Sequence, residues 1–168
     1  GTTNWFSFLA RYDSGDTSGR YGIELTDAPG NSSTLANQWS LLIGKPAGTN
    51  MWGVAANGGS SAATAVNATD GSTALIVARV AFGAGGASAH VWANPVLGAG
   101  EPAGGVELGG IAAFQYNRLG IVAAGNPAPI VSIDEIRAGE SFEVVTPIPE
   151  PAVLMLVAGA AALMVRRK

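Results

Sequence analysis

Short apolar and aromatic stretches recur along the chain, separated by turn-forming residues, and most of them alternate with a period of two. Trp5 to Arg11 is aromatic-rich; Tyr21, Ile23 and Leu25 alternate with Gly22 and Glu24; Trp39 to Gly44 and Met51 to Ala55 are short apolar runs. The longest stretch, Thr73 to Phe82, places Ile76, Ala78, Val80 and Phe82 on one face and Leu75, Val77 and Arg79 on the other. That alternation is the signature of a pleated strand. Further strands are expected at Ala89 to Ala93, Ile111 to Gln115, Arg118 to Val122, Val131 to Ala138 and Phe142 to Val145. Asp13 to Gly19, Ala28 to Ser33, Gly83 to Gly86 and Gly98 to Gly105 are turn-rich, and Ala56 to Asp70, the least patterned part, reads as a loop. Short strands with Gly, Pro, Asn and Asp between them predict an all-β fold, an antiparallel sandwich or barrel, with almost no helix. Its core is expected to hold the bulky members of the strongest patterns: Phe6, Phe8, Ile76, Val80, Phe82, Trp92, Phe114 and Ile136.

The pattern changes at the carboxyl end. Pro147, Pro149 and Pro151 deny backbone donors and bias the residues before them away from helix, so 146–148 is expected as an extended linker after a body of residues 1–145. Ala152 to Val165 is then apolar or glycine on every side, and Arg166, Arg167 and Lys168 close the chain. Fourteen residues of helix cover about 21 Å, short of a hydrocarbon core of roughly 30 Å. A core helix, however, needs a polar face, and three cations are costly to bury. Lys and Arg reach the headgroups from a short span and hold that end in the cytoplasm. The prediction is one short transmembrane helix, oriented by Arg166, Arg167 and Lys168, with the body outside.

The order Pro149-Glu150-Pro151, short apolar helix, basic terminus resembles the PEP-CTERM sorting tail of Gram-negative bacteria that make extracellular polysaccharide. In that family the tail is read by exosortase, a membrane cysteine protease. The resemblance implies that residues 149–168 are such a tail, with Pro149, Glu150 and Pro151 as the sorting motif, exosortase and the membrane as partners, and the cell surface or matrix as the destination. A GPI signal lacks the basic cluster, and a cell-wall sortase signal would need Leu-Pro-x-Thr-Gly.

The body is charge-poor: 12 % of all residues are charged, 24 are Gly, and Cys is absent, so disulfides and thiolate metal sites are excluded. Before Pro149 there are six basic residues against eleven acidic ones, a balance that argues against nucleic acid or anionic lipid as a partner of the body. Gly1 to Ala10 has no basic start, apolar core or initiator Met, and the chain is expected to be a carboxy-terminal portion of its protein. Trp5-Phe6-Ser7-Phe8-Leu9, Ile43-Gly44-Lys45-Pro46, Trp92-Ala93-Asn94-Pro95 and Ile133-Asp134-Glu135-Ile136-Arg137 loosely resemble LamG-like, or concanavalin-A-like, jelly-roll domains found ahead of PEP-CTERM tails. This second resemblance implies that the body is an antiparallel jelly-roll-like sandwich serving as a carbohydrate-binding, adhesive or structural module, with polysaccharide as a partner.

Candidate chemistry is sparse. Glycoside hydrolases on this sandwich place paired carboxylates across the scissile bond in a Glu-x-Asp-x-x-Glu strand. The local match, Ser132 to Arg137, keeps only Asp134, so no catalytic residue is assigned. Glu135 and Arg137 read as an outward pair with Ile136 in the core. His90 is the sole histidine and reads as structural beside Trp92. Gly83 to Gly86 and Gly109-Gly110 do not lead into helices with Lys and Ser/Thr and read as turns rather than phosphate loops. Asp13, Ser14, Asp16 and Thr17 gather oxygens in one turn, which makes Asp13 and Asp16 the candidate Ca²⁺ ligands, the one cofactor considered. Of the four Trp residues, Trp52 beside the long loop is expected to be the exposed one and the candidate sugar platform. The competing functional classes are an extracellular glycan-active hydrolase on the same fold and a passive coat protein with no specific ligand.

Overall fold

A computed structural model of the protein describes residues 1–27, 39–98 and 100–146, with Trp39 described by its backbone alone. Within them lie ten strands: β1 (Thr2–Ser14), β2 (Arg20–Thr26), β3 (Trp39–Lys45), β4 (Met51–Ala56), β5 (Ser61–Asn67), β6 (Ala74–Gly83), β7 (Gly86–Ala93), β8 (Val106–Ile111), β9 (Arg118–Ala124) and β10 (Ile130–Gly139). One helical turn, α1 (Phe142–Val145), follows them. The strands form two antiparallel five-stranded sheets, ordered β10-β1-β6-β7-β8 and β5-β4-β3-β2-β9. The chain crosses from one sheet to the other after β1, β5, β8 and β9.

Period-two alternation explains the packing between the sheets. Phe6, Phe8 and Ala10 of β1 and Ile76, Ala78 and Val80 of β6 meet Tyr21, Ile23 and Leu25 of β2, Leu41 and Ile43 of β3, and Trp52 and Val54 of β4 in one buried cluster. The opposite face of the first sheet is buried as well. Trp5, Val77 and Trp92 form a second cluster with Phe142 and Val145 of α1, and Leu75 packs at its margin. Trp5 stacks on Trp92 at 5.7 Å and meets Phe142 edge-on at the same distance. The Ser7 hydroxyl donates to the Val145 carbonyl, and Thr146 Oγ1 donates to the Phe142 carbonyl at 2.9 Å, so the chain is held to the sheet as far as Thr146.

Several expectations need correction. Phe142 to Val145 forms a helical turn instead of a strand, because Phe142 and Val145 are spaced to bury one side of a single turn against Trp5. Residues 56–70 are not a loop: they contain β5, whose small residues alternate between half-buried and exposed. The strand expected over Ile111 to Gln115 lies earlier, as β8, and Gly109-Gly110, read as a turn, sit inside it. Ile136 is 37 % exposed and does not enter the core. Glu135, at φ 50°, makes a bulge: Ser7 and Leu9 of β1 face Arg137 and Asp134 of β10, so one extra residue sits on β10. The expected Glu135–Arg137 pair does form, at 3.1 Å. Phe82 and Phe114 are half-buried and meet edge-on at 5.2 Å at the margin of the main cluster. The turn at Ala28 to Ser33, the end of the linker, the motif Pro149, Glu150 and Pro151, the apolar run and Arg166, Arg167 and Lys168 lie outside the described residues.

The second cluster makes a stability prediction. Trp5→Ala should cost about 3–5 kcal/mol in urea denaturation, as for other large-to-small core changes. Val144→Ala, on the same helical turn but 63 % exposed, should cost nearly nothing, and truncation after Glu140 should destabilise as Trp5→Ala does. A stable truncated chain would show that α1 is not part of the body.

Candidate functional site

The turn from β1 to β2 carries the oxygen-rich group. Asp13 accepts hydrogen bonds from Ser132 Oγ of β10 and Arg11 Nε, each at 2.6 Å, and these donors, Ser132 foremost, hold its carboxyl below the usual range. Asp16 accepts from the Ser18 backbone N–H at 2.8 Å, the Ser18 hydroxyl at 2.7 Å and the Asn126 N–H at 3.3 Å, and the Ser18 bonds lower its pKa. The two carboxylates thus fasten the turn to different segments, and donors from the body occupy them. Among the described residues no group of three or more His, Cys, Asp or Glu is placed to hold a metal ion, whereas Ca²⁺ takes six to eight oxygens.

A cation is nonetheless built into this end of the sandwich. Lys45, the last residue of β3, is fully buried, and its Nζ donates to the Gly19 carbonyl at 2.5 Å and the Pro46 carbonyl at 3.4 Å. Its Nζ stands 5.7 Å from the centre of the Tyr21 ring. Burial lowers its pKa, and the Asp16 charge partly offsets that. Tyr21 in turn donates its hydroxyl to the Ala68 carbonyl, and burial raises its pKa. Sequence reasoning passed over Lys45, because nothing in Gly44-Lys45-Pro46 reveals that its cross-strand partner is the core-facing Tyr21.

Trp52 is 1 % exposed, so the expected sugar platform is a core residue. It shares the inward parity of β4 with Val54 and Ala56 and meets Tyr21 edge-on at 5.6 Å. Its indole N–H finds no hydrogen-bond partner among the described residues. The same holds for the Trp92 N–H.

The segment between β7 and β8 folds back over the outer face of the first sheet. His90 stacks on Trp92 at 4.1 Å with its ring nearly parallel, and its Nε2 lies 2.8 Å from the Gly104 carbonyl. Arg79 Nη1 reaches Glu101 at 2.7 Å. Gly105, at φ +82°, passes so close that a Cβ there would stand 2.7 Å from Trp92 Cδ1 and 2.8 Å from His90 Nε2; only glycine fits. Through these contacts His90 holds this crossing in place.

Between the crossing and β5 lies a cleft of about 580 Å³, bordered by Thr64, Val66, Pro95, Val96 and Val106 among others. That volume is within the range of small-ligand sites. Among the described residues no titratable side chain lines it, and its walls offer apolar contact and hydroxyl or backbone hydrogen bonds. A second, smaller hollow of about 190 Å³ borders Arg11, Ser132 and Asp134. There Asp134 accepts from the Glu135 N–H at 2.7 Å. The neighbouring Asp13 is engaged by Ser132, which also borders this hollow.

Comparison with known proteins adds no relative: no protein-family model, no curated protein and no solved structure matches the chain.

Two predictions follow from Lys45 and Asp16. Lys45→Met keeps the stem but strands the Gly19 carbonyl without a donor, at an expected cost of about 1–3 kcal/mol in urea denaturation. Asp16→Asn should destabilise at neutral pH. Because the folded-state pKa of Asp16 is depressed below 3.8, its stabilisation is present above that value and lost as pH falls through the lower folded value. The gap between wild type and Asp16→Asn should thus close between pH 7 and strongly acid solution, as followed by denaturation midpoints.

Proposed function

We propose that the protein is an exported cell-surface or extracellular-matrix protein whose carboxyl tail is sorted by an exosortase, and whose β-sandwich body, of the LamG-like jelly-roll kind, serves as a binding, adhesive or structural module. The observation that carries this reading is the fixed order, at the carboxyl end, of Pro149-Glu150-Pro151, the apolar run Ala152 to Val165 and Arg166-Arg167-Lys168. Each part makes a separate demand. The Pro-rich motif supplies an extended peptide at the membrane surface, the apolar run sets its depth, and the cations set its orientation.

Two features of the body support binding over turnover. The two-sheet sandwich presents an uncharged cleft beside β5, and the carboxylates of the β1–β2 turn are engaged by Ser132, Arg11, Ser18 and Asn126. A polysaccharide is the ligand class most consistent with the tail reading, since its rings and hydroxyls suit apolar walls with a few hydrogen-bonding groups.

In a host that contains an exosortase, Glu150→Ala should insert into the membrane as the wild type does but be processed and released more slowly, because one carboxylate at the surface scarcely alters the span. Neutral replacement of Arg166, Arg167 and Lys168 should disturb insertion itself. Processing of Glu150→Ala at the wild-type rate, or equal processing of the wild type in a host without the enzyme, would reduce the tail to an ordinary anchor. Pulse-chase fractionation reads both.

A further inference from the structure

Four strand edges terminate the two sheets, and three of them are protected. β10 carries Asp134, Glu135 and Arg137, the positive-φ bulge at Glu135 and two shifts of register against β1. β5 slips by two residues against β4 between Met51 and Gly53. β8 shifts register against β7 and contains Glu107 and the positive-φ Gly110. Bulges and charges of this kind discourage a further strand from pairing. β9 has none of these. It pairs with β2 in an unbroken register from Arg20–Ala124 to Thr26–Arg118, has no Pro, and its only charge is Arg118 at one end.

The side chains of β9 point the same way. Ile121 faces Ile23 across the ladder and so lies on the core-facing side of the sheet, yet it is 62 % exposed. Among the described residues the sandwich is therefore open along this edge, with an apolar side chain of the inward parity left in its mouth.

We propose that β9 is a self-association edge, on which a second copy of the chain pairs antiparallel about a two-fold axis at Ile121 and joins the two second sheets into one. Three observations select a second copy over another occupant. The strand is self-complementary in length: with Ile121 on the axis, Leu119 faces the partner's Ala123 and Arg118 faces the partner's Ala124, so all seven residues pair and no like charges meet across the ladder. Both copies bring the same unfilled position to the axis, and each Ile121 covers the other. The charges also permit it, because Arg118 faces the partner's uncharged Ala124, and Arg20, which neighbours Ala124 on β2, is already paired with Glu24 at 3.1 Å. A seven-residue edge buries less than the roughly 1,000 Å² of a stable interface. The pair is thus weak in dilute solution and forms where chains are crowded. The proposal concerns the body alone and stands whether or not the tail is a sorting signal.

The chain has no cysteine, which makes a crosslinking test clean. Residues facing each other across an antiparallel ladder have Cα atoms about 4.5–5.5 Å apart, within disulfide reach. The full chain in mild non-ionic detergent, carrying Ile121→Cys, should form a disulfide dimer under gentle oxidation at least about tenfold faster than one carrying Ile130→Cys, which is equally exposed at 61 % but off the axis. A mixture of Arg118→Cys and Ala124→Cys chains should yield crosslinked pairs of one chain of each kind, with few of either kind alone. Equal rates for Ile121→Cys and Ile130→Cys would overturn the proposal and leave the edge to a strand from a different protein. Self-crosslinking of Arg118→Cys matching the mixed pairs would overturn the antiparallel register. Circular dichroism of each reduced variant, expected to match wild type, confirms that the comparison is between folded chains.

Discussion

Every layer of this molecule is packed against β1. A central strand in a sandwich ordinarily buries one face, and the other meets solvent. Here Phe6, Phe8 and Ala10 enter the core between the sheets while Trp5 and Ser7 on the reverse face are covered by α1 and its approach to the sheet. The strand also pairs on both sides, with β6 along nine successive residues and with β10 through two shifts of register. A chain without disulfides must take its stability from packing, and β1 is where both hydrophobic clusters meet. Removing one of its buried side chains opens one cluster or the other, whereas β9 reaches the main cluster only at its margin, through Leu119.

The double burial also determines how the ends of the body relate to the site-bearing loops. Because Phe142 and Val145 cap the outer face beside Trp92, the chain leaves the body from the side on which the 94–105 crossing lies, where His90, Arg79 and Gly105 hold that crossing down. The cleft along β5 is bordered by the same crossing. The acidic turn and buried Lys45 sit at the β1–β2 connection, where Asp16 and Lys45 fasten the turn to the Asn126 segment and to β3.

Much of the fold was legible in the sequence, for a physical reason. Strands with bulky alternating residues, such as Tyr21-Gly22-Ile23-Glu24-Leu25 and the Ile76 to Phe82 stretch, declare both their existence and their inward face, and the sheets follow from them. β5 was invisible because Ser61-Ala62-Ala63-Thr64-Ala65-Val66 alternates only in small residues, and β8 because Gly109-Gly110 mimics a turn. The bulge at Glu135 put Ile136 at an exposed edge: a single extra residue changes the facing of everything beyond it, and no residue type announces it. The misreading of Trp52 came from its neighbour. With residues 56–70 read as a loop, Trp52 borders solvent, while in the sandwich it is covered by Tyr21. The candidate site was less legible than the fold, because the roles of Asp13, Asp16 and Lys45 depend on Ser132, Asn126 and Gly19, partners remote in sequence for the first two and set by the tertiary fold for the third.

Native-state amide hydrogen exchange tests the central place of β1 most directly. With both faces buried and both edges paired, the amides of Phe6 to Ala10 should exchange only through global unfolding, with a protection free energy equal to that from denaturant unfolding, while those of Leu119 to Ala123 in β9 should exchange through smaller openings. Amides of β1 that exchange as readily as those of β9 would contradict the account, since the two hydrophobic clusters could not then depend on one strand.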